Sequence, residues 1–220
     1  PHPDTFYWRV VGQNVVGVYE TSSARGFILD TGVDTVTQIS ASGFETTAAS
    51  PVVSWSAITD STGIDSYVVE VSNVAAFTSL VFADTVARAR TSDTITGLYN
   101  DTYYWRVRAI DHMSNVGANS AARGFVLDTA AGQVTLSSPP SGHETSSVRP
   151  VVSWSALADS TGVDSYAVEA SKSSSFTSLV FADTVSGART SDSITGLYND
   201  TYYWRVRAVD HLRNKGIYSP

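Results

Sequence analysis

The twelve residues LYNDTYYWRVRA run from Leu98 to Ala109, recur unbroken at Leu197 to Ala208, and return in degraded form as PHPDTFYWRVVG at Pro1 to Gly12. Trp55 and Trp154 stand 99 residues apart, as do Trp105 and Trp204, so the chain is a tandem repeat whose unit is one domain long. A unit of that size can bury a core of its own. Within the motif the alternation has period 2: Tyr103, Trp105, Val107 and Ala109 share one face, and Tyr104, Arg106 and Arg108 the other. That is the pattern of a half-buried strand, and it predicts an all-β chain.

Reading along the chain, residues 1 to 31 predict two strands: Phe6, Trp8 and Val10 alternate, turn-forming glycines follow, and then ARGFILDT. The pair matches Thr102 to Thr129, where YYWRVRA is followed by ARGFVLDT, so it reads as the last two strands of a repeat. Residues 32 to 130 predict strands at Val36 to Ser40, Pro51 to Ser56, Tyr67 to Val71, Leu80 to Phe82, Thr91 to Ile95, Tyr103 to Ala109 and Arg123 to Leu127. Seven short strands at this spacing predict an antiparallel β-sandwich. Residues 131 to 220 repeat the order as far as Tyr202 to Ala208, without a counterpart of ARGFVLDT.

The order VxW, YxVxV, then an aspartate turn leading into YxWxVxA resembles fibronectin type III and related immunoglobulin-like modules, over both 99-residue units. The wording YYWRVRAxD followed by FxLDT is similar to the repeats of bacterial surface and secreted proteins. The resemblance implies tandem seven-stranded sandwiches: a partial repeat over 1–31 (the family's strands F and G), a complete domain over 32–130, and a domain over 131–220 lacking its last strand. It implies a buried strand-B tryptophan at Trp55 and Trp154, and a "tyrosine corner" at Tyr103 and Tyr202, for which the first copy has Phe6. It also implies a spacer or binding surface in place of a catalyst, although a fold alone does not settle function.

Charge excludes some partners. A net charge of −7 with only 16% charged residues offers no basic field for nucleic acid or anionic membrane. No apolar run approaches the ~18 residues of a membrane span, so no membrane insertion is expected. The absence of cysteine removes disulfides, thiolate metal sites and cysteine nucleophiles.

Candidate functional residues are few. Tyr104, Arg106 and Arg108, with Tyr203, Arg205 and Arg207, form a candidate surface contact patch for glycan or protein. The plainer reading pairs Glu70 with Arg106 or Arg108, and Glu169 with Arg205 or Arg207, across neighbouring strands. His112 and His211 lack a third group at triad or ligand spacing and read as loop residues. Asp60, Asp65, Asp101, Asp159, Asp164 and Asp200 suit Asx turns, not a catalytic carboxylate pair. Asp30-Thr31 and Asp128-Thr129 sit at repeat ends, where some surface arrays hold calcium, but no DxDxDG-type loop surrounds them. Asn100 and Asn199 begin formal glycosylation sequons in turns. No catalytic residue, metal or cofactor is expected.

The near-identity of the two full units points to a molecule whose length matters more than distinct sites. The expected function is non-enzymatic: a repeat protein of an extracellular or cell-surface bacterial stalk, adhesin shaft or filament. Its partners are neighbouring copies or adjacent repeats. Two routes complete the final repeat: adjacent chain in a longer array, or a candidate donor strand, Arg25, Phe27 and Leu29, from a second copy. Uncovering a core Phe and Leu would cost roughly 1.5–3 kcal/mol each. The alternative reading is a spacer or glycan-binding accessory module of a secreted polysaccharide-degrading enzyme.

Overall fold

The computed structural model describes residues 4–220, and Pro1 to Pro3 of the partial repeat lie outside the described residues. In chain order its strands are β1 (Asp4–Trp8), β2 (Val11–Gln13), β3 (Tyr19–Thr21), β4 (Arg25–Leu29), β5 (Phe44–Thr46), β6 (Val52–Ser54), β7 (Ile64–Ser72), β8 (Phe82–Ala87) and β9 (Ser92–Thr94). They continue as β10 (Asp101–Asp111), β11 (Arg123–Leu127), β12 (Leu136–Ser138), β13 (Val151–Trp154), β14 (Val163–Ser171), β15 (Leu179–Ser186), β16 (Ser191–Ser193) and β17 (Tyr203–Asp210). Among the described residues there is no helix, hence none long and apolar enough to cross a membrane. The chain is all-β.

Two compact units divide it: Pro1–Ser42, Val52–Ile95 and Tyr104–Arg123 form one, and Gly43–Pro51, Thr96–Tyr103 and Gly124–Pro220 the other. In the first, β1 pairs antiparallel with β4, β2 with β3, β6 with β9, and β7 with both β8 and β10. Trp105, Val107 and Ala109 are fully buried, as are Val69 and Val71 of β7, while the residues between them on β10 turn outward. In the second, β14 lies between β15 and β17, β13 between β12 and β16, and β5 runs parallel to β11. Val152, Trp154, Tyr166, Val168, Ala170, Ile194, Val206 and Ala208 make its core.

Trp55 and Trp154 each pack against a tyrosine whose hydroxyl is hydrogen-bonded. Trp55 lies 5.5 Å from Tyr67 and Trp154 5.4 Å from Tyr166, ring to ring. Tyr67 accepts from the Ile58 N–H at 3.2 Å and Tyr166 from the Leu157 N–H at 3.1 Å. Buried phenols need such partners to avoid an unmade hydrogen bond. At the tyrosine corner, Tyr103 donates to the Tyr99 carbonyl at 3.0 Å, and Tyr202 accepts from the Tyr198 N–H at 3.2 Å.

One strand is weaker than its sequence suggests. Val36 to Ser40 makes only an isolated bridge, Gln38 to Trp55, because Ile39 and Ser40 both donate to the Ser54 carbonyl and so break the ladder. Conversely, β5 is an addition: Phe44 pairs with Phe125 and stacks on it at 5.1 Å. No alternation flags so short a strand. The strand expected at Leu80 to Phe82 starts at Phe82 and runs on to Ala87.

A serine clamp recurs in all three copies of the motif. The Val10, Val107 and Val206 N–H groups each donate at 3.0 Å to a serine Oγ, of Ser22, Ser120 and Ser219 respectively. The same three serines return the bond, N–H to valine carbonyl, at 2.9, 2.9 and 2.8 Å. On β10 and β17 a single serine thus closes both backbone groups of the central strand's valine; in the first copy it does so for Val10, just past the end of β1.

The outer strands β8 and β15 carry a second shared device. Asp84 stands opposite Val69 and Asp183 opposite Val168, and both valines are fully buried. Directly opposed residues share a sheet face, so each outer strand places a carboxylate on its core side, where a matching strand from another molecule would have to bury it.

Two outcomes follow from these devices. Ser219→Ala should lower unfolding free energy by about 1–3 kcal/mol in denaturant melts, since the buried Val206 N–H loses its acceptor; Ser22→Ala, in an exposed hairpin, should change it by under ~0.5 kcal/mol. The pair Asp84→Val and Asp183→Val should raise self-association above that of the parent protein at equal concentration, which analytical ultracentrifugation would detect as a larger weight-average mass.

Candidate functional site

On each of β10 and β17 the outward residues meet neighbours of their own unit in a ladder of charge and aromatic rings. Arg106 lies opposite Glu70, and its Nε donates to Glu70 Oε2 at 2.7 Å. Arg108 Nη1 donates to the other carboxylate oxygen at 2.9 Å and to Asn119 Oδ1 at 3.2 Å. Glu70 is only 8% exposed, so these two guanidiniums are what makes its burial tolerable. The Arg106 guanidinium also lies 4.2 Å from the centre of the Phe77 ring.

The last repeat builds its own, larger version. Arg205 donates to Glu169 Oε2 at 2.8 Å through Nε and approaches it at 2.7 Å through Nη2. Its guanidinium sits between two rings, Phe176 at 4.1 Å and Tyr218 at 3.7 Å, and Arg207 covers Tyr218 at 4.6 Å. The Tyr218 hydroxyl donates to Glu169 Oε1 at 2.5 Å. Phe77 and Phe176 hold φ of 54° and 53°, a region costly for a bulky side chain.

The proposed contact patch is therefore largely spoken for by its own sheet. Arg106, Arg108 and Arg205 turn their donors to Glu70 and Glu169, which leaves stacking faces and the rings of Tyr104 and Tyr203 as the surface on offer; Tyr203 is 43% exposed. Burial acts to raise the Glu169 carboxyl, but the hydrogen bonds from Tyr218 and Arg205, with the charges of Arg205 and Arg207, outweigh it and hold that group below the usual glutamate range. Burial and the Glu169 bond push the Tyr218 phenol up.

The candidate donor strand lies in β4. Phe27 stacks on Phe6 at 5.4 Å, yet Phe27 and Leu29 remain 53% and 51% exposed. Their counterparts Phe125 and Leu127 in β11 are fully buried, and Arg123, the counterpart of Arg25, donates to the Ser40 carbonyl at 2.5 Å.

The two sequons fare differently in detail. Asn100 spends its amide on the segment after β11: Nδ2 donates to Asp128 Oδ1 at 3.0 Å, and Oδ1 accepts from Thr129 N–H and Oγ1 at 3.0 and 2.8 Å. It is a turn-locking residue. Asn199 is exposed in the corresponding turn, beside an Asp200 that pairs with Lys172 at 2.8 Å.

Beyond these residues the structure brings together two carboxylate triads, Asp30, Asp60 and Asp111 in the first unit and Asp128, Asp159 and Asp210 in the second, joining a repeat-end aspartate and a turn aspartate to one, Asp111 or Asp210, that the sequence does not single out. In each, one oxygen per residue lies within 4.8 Å of the others. Oxygen donors at such separations are the type that holds a hard cation. Here they are tied by local donors. Thr62 Oγ1 lies 2.7 Å from Asp30 Oδ2 and 2.9 Å from Asp60 Oδ1; Asn115 Nδ2 donates to Asp111 Oδ2 at 2.7 Å and to the Asp30 carbonyl at 3.3 Å. The second triad repeats this with Thr161 against Asp128 and Asp159 at 2.8 and 3.1 Å, and Asn214 against Asp210 and the Asp128 carbonyl at 2.7 and 2.9 Å. The signal available in sequence was that all three aspartates, the threonine and the asparagine return together one repeat later.

The histidines buttress these loops. His112 Nδ1 lies 2.7 Å from the Thr62 carbonyl and His211 Nδ1 2.6 Å from that of Thr161, which assigns the proton to Nδ1. Gly63, at φ +86°, must be glycine: a Cβ there would come within 2.9 Å of His112 Nδ1. The triads differ in charge balance. The Thr62 hydrogen bond and the Gly32 N–H hold Asp30 below the usual aspartate range. Burial, with repulsion from Asp128, pushes Asp159 up against the opposing bonds from Thr161.

No family model matches the chain, and no curated protein matches it. Among solved structures the chain is similar to the FN1-FN3 domains of chicken CNTN1, at 16% identity and a TM-score of 0.40, over 98% of this chain and 73% of that one. A likeness so slight carries no argument about what this chain does.

The two shifted carboxylates predict opposite pH behaviour. Glu169, depressed, contributes stability that is present above the unfolded carboxyl value of about 4.3 and is lost as pH falls through its folded value; Glu169→Gln should lose stability at pH 7 and flatten the acid limb of a pH–stability curve. Asp159, raised, contributes stability that is present below the usual aspartate value and is lost as pH rises through its folded one. Asp159→Asn, which keeps an oxygen for the Thr161 N–H, should therefore match or exceed the parent's melting temperature at pH 7, as calorimetry would show.

Proposed function

We propose that the chain is a run of fibronectin type III-like repeats serving a structural or adhesion-type role in an extracellular bacterial stalk, shaft or filament. In this reading the repeats span 1–31, 32–130 and 131–220. The observation that carries the proposal is a repeated joint. The aspartate that follows the last strand of one repeat, Asp30 or Asp128, is held by a threonine and an asparagine of the next, Thr62 with Asn115 or Thr161 with Asn214. Identical nearest-neighbour contacts at successive boundaries are how linear arrays keep a constant geometry. The partners are then neighbouring repeats, on the same chain or on another copy, and the exposed Phe27 and Leu29 of β4 offer apolar surface for such a neighbour.

Stretching single molecules would test the proposal. Each full repeat should unfold as a separate event whose ~99 residues span roughly 330–360 Å when extended, at 3.3–3.6 Å each. A glycan array should meanwhile show no specific binding. A single merged unfolding event would overturn the repeat layout. Selective binding of a polysaccharide, abolished by Tyr203→Ala, would favour a carbohydrate-directed accessory module instead.

A further inference from the structure

We draw no further inference here: the strongest candidate, the paired carboxylate clusters Asp30–Asp60–Asp111 and Asp128–Asp159–Asp210, which gather the residue after β4 or β11, the loop before β7 or β14 and the end of β10 or β17, carries nothing, because their oxygens already take the threonine and asparagine donors around them and no second feature of the structure points to a bound cation.

Discussion

A strand that buries every second residue must do something with the residues in between. On β10, Trp105, Val107 and Ala109 go inward and are fully buried, which leaves Arg106 and Arg108 side by side on the outer face. Two guanidiniums there would repel across a partly desolvated surface. Glu70 of β7, placed opposite by the register that the apolar face dictates, answers both. The inner and outer faces are thus not independent: a slip of one residue would expose the core and separate the charges together. The same coupling operates between β14 and β17 through Glu169.

Repetition makes the physical logic visible because nearly the same solution appears twice with small edits. Where the middle repeat has Asn119, the last has Tyr218, and a hydrogen bond to Arg108 gives way to a ring held between two arginines. The central elements tolerate this because the edit touches only the outer face. The serine clamps admit no such variety. Ser22, Ser120 and Ser219 satisfy the N–H and carbonyl of one valine in each copy of the motif, Val107 and Val206 within β10 and β17 and Val10 just past the end of β1, and this survives even in the diverged first copy, where Phe6 stands in place of the corner tyrosine. At Val107 and Val206 these backbone groups are buried and must be closed, whatever the side chains outside are doing.

The carboxylate triads show the opposite tendency, polar groups gathered at a cost. Three carboxyl oxygens within 4.8 Å of one another repel, and a single threonine hydroxyl has one proton to offer two of them. Asp159 bears that cost as a raised affinity for protons, whereas Asp30 escapes it through its bonds to Thr62 and the Gly32 backbone. What the arrangement secures is the chain direction after β4 and β11, since the asparagine side chains Asn115 and Asn214 hold the aspartate carbonyls as well as the carboxylates.

The sequence by itself determined the all-β character, the repeat spacing, the face of the LYNDTYYWRVRA strand that is buried, and the Glu70–arginine pairing. These are local consequences of period-2 alternation, and alternation is written in adjacent residues. Only the tertiary structure decided the rest. The reduction of Val36 to Ser40 to a bridge and the formation of β5 depend on which backbone groups find partners far along the chain. Asn100 reads as a sequon until Asp128 and Thr129 are seen to occupy its amide. The triads join loops and strand ends that are tens of residues apart, so that Asp60 and Asp159 read locally as turn residues and Asp30 and Asp128 as repeat ends with no ligand loop around them. Convergence in space leaves no local signature, and it appears only when the strands that carry those loops have paired.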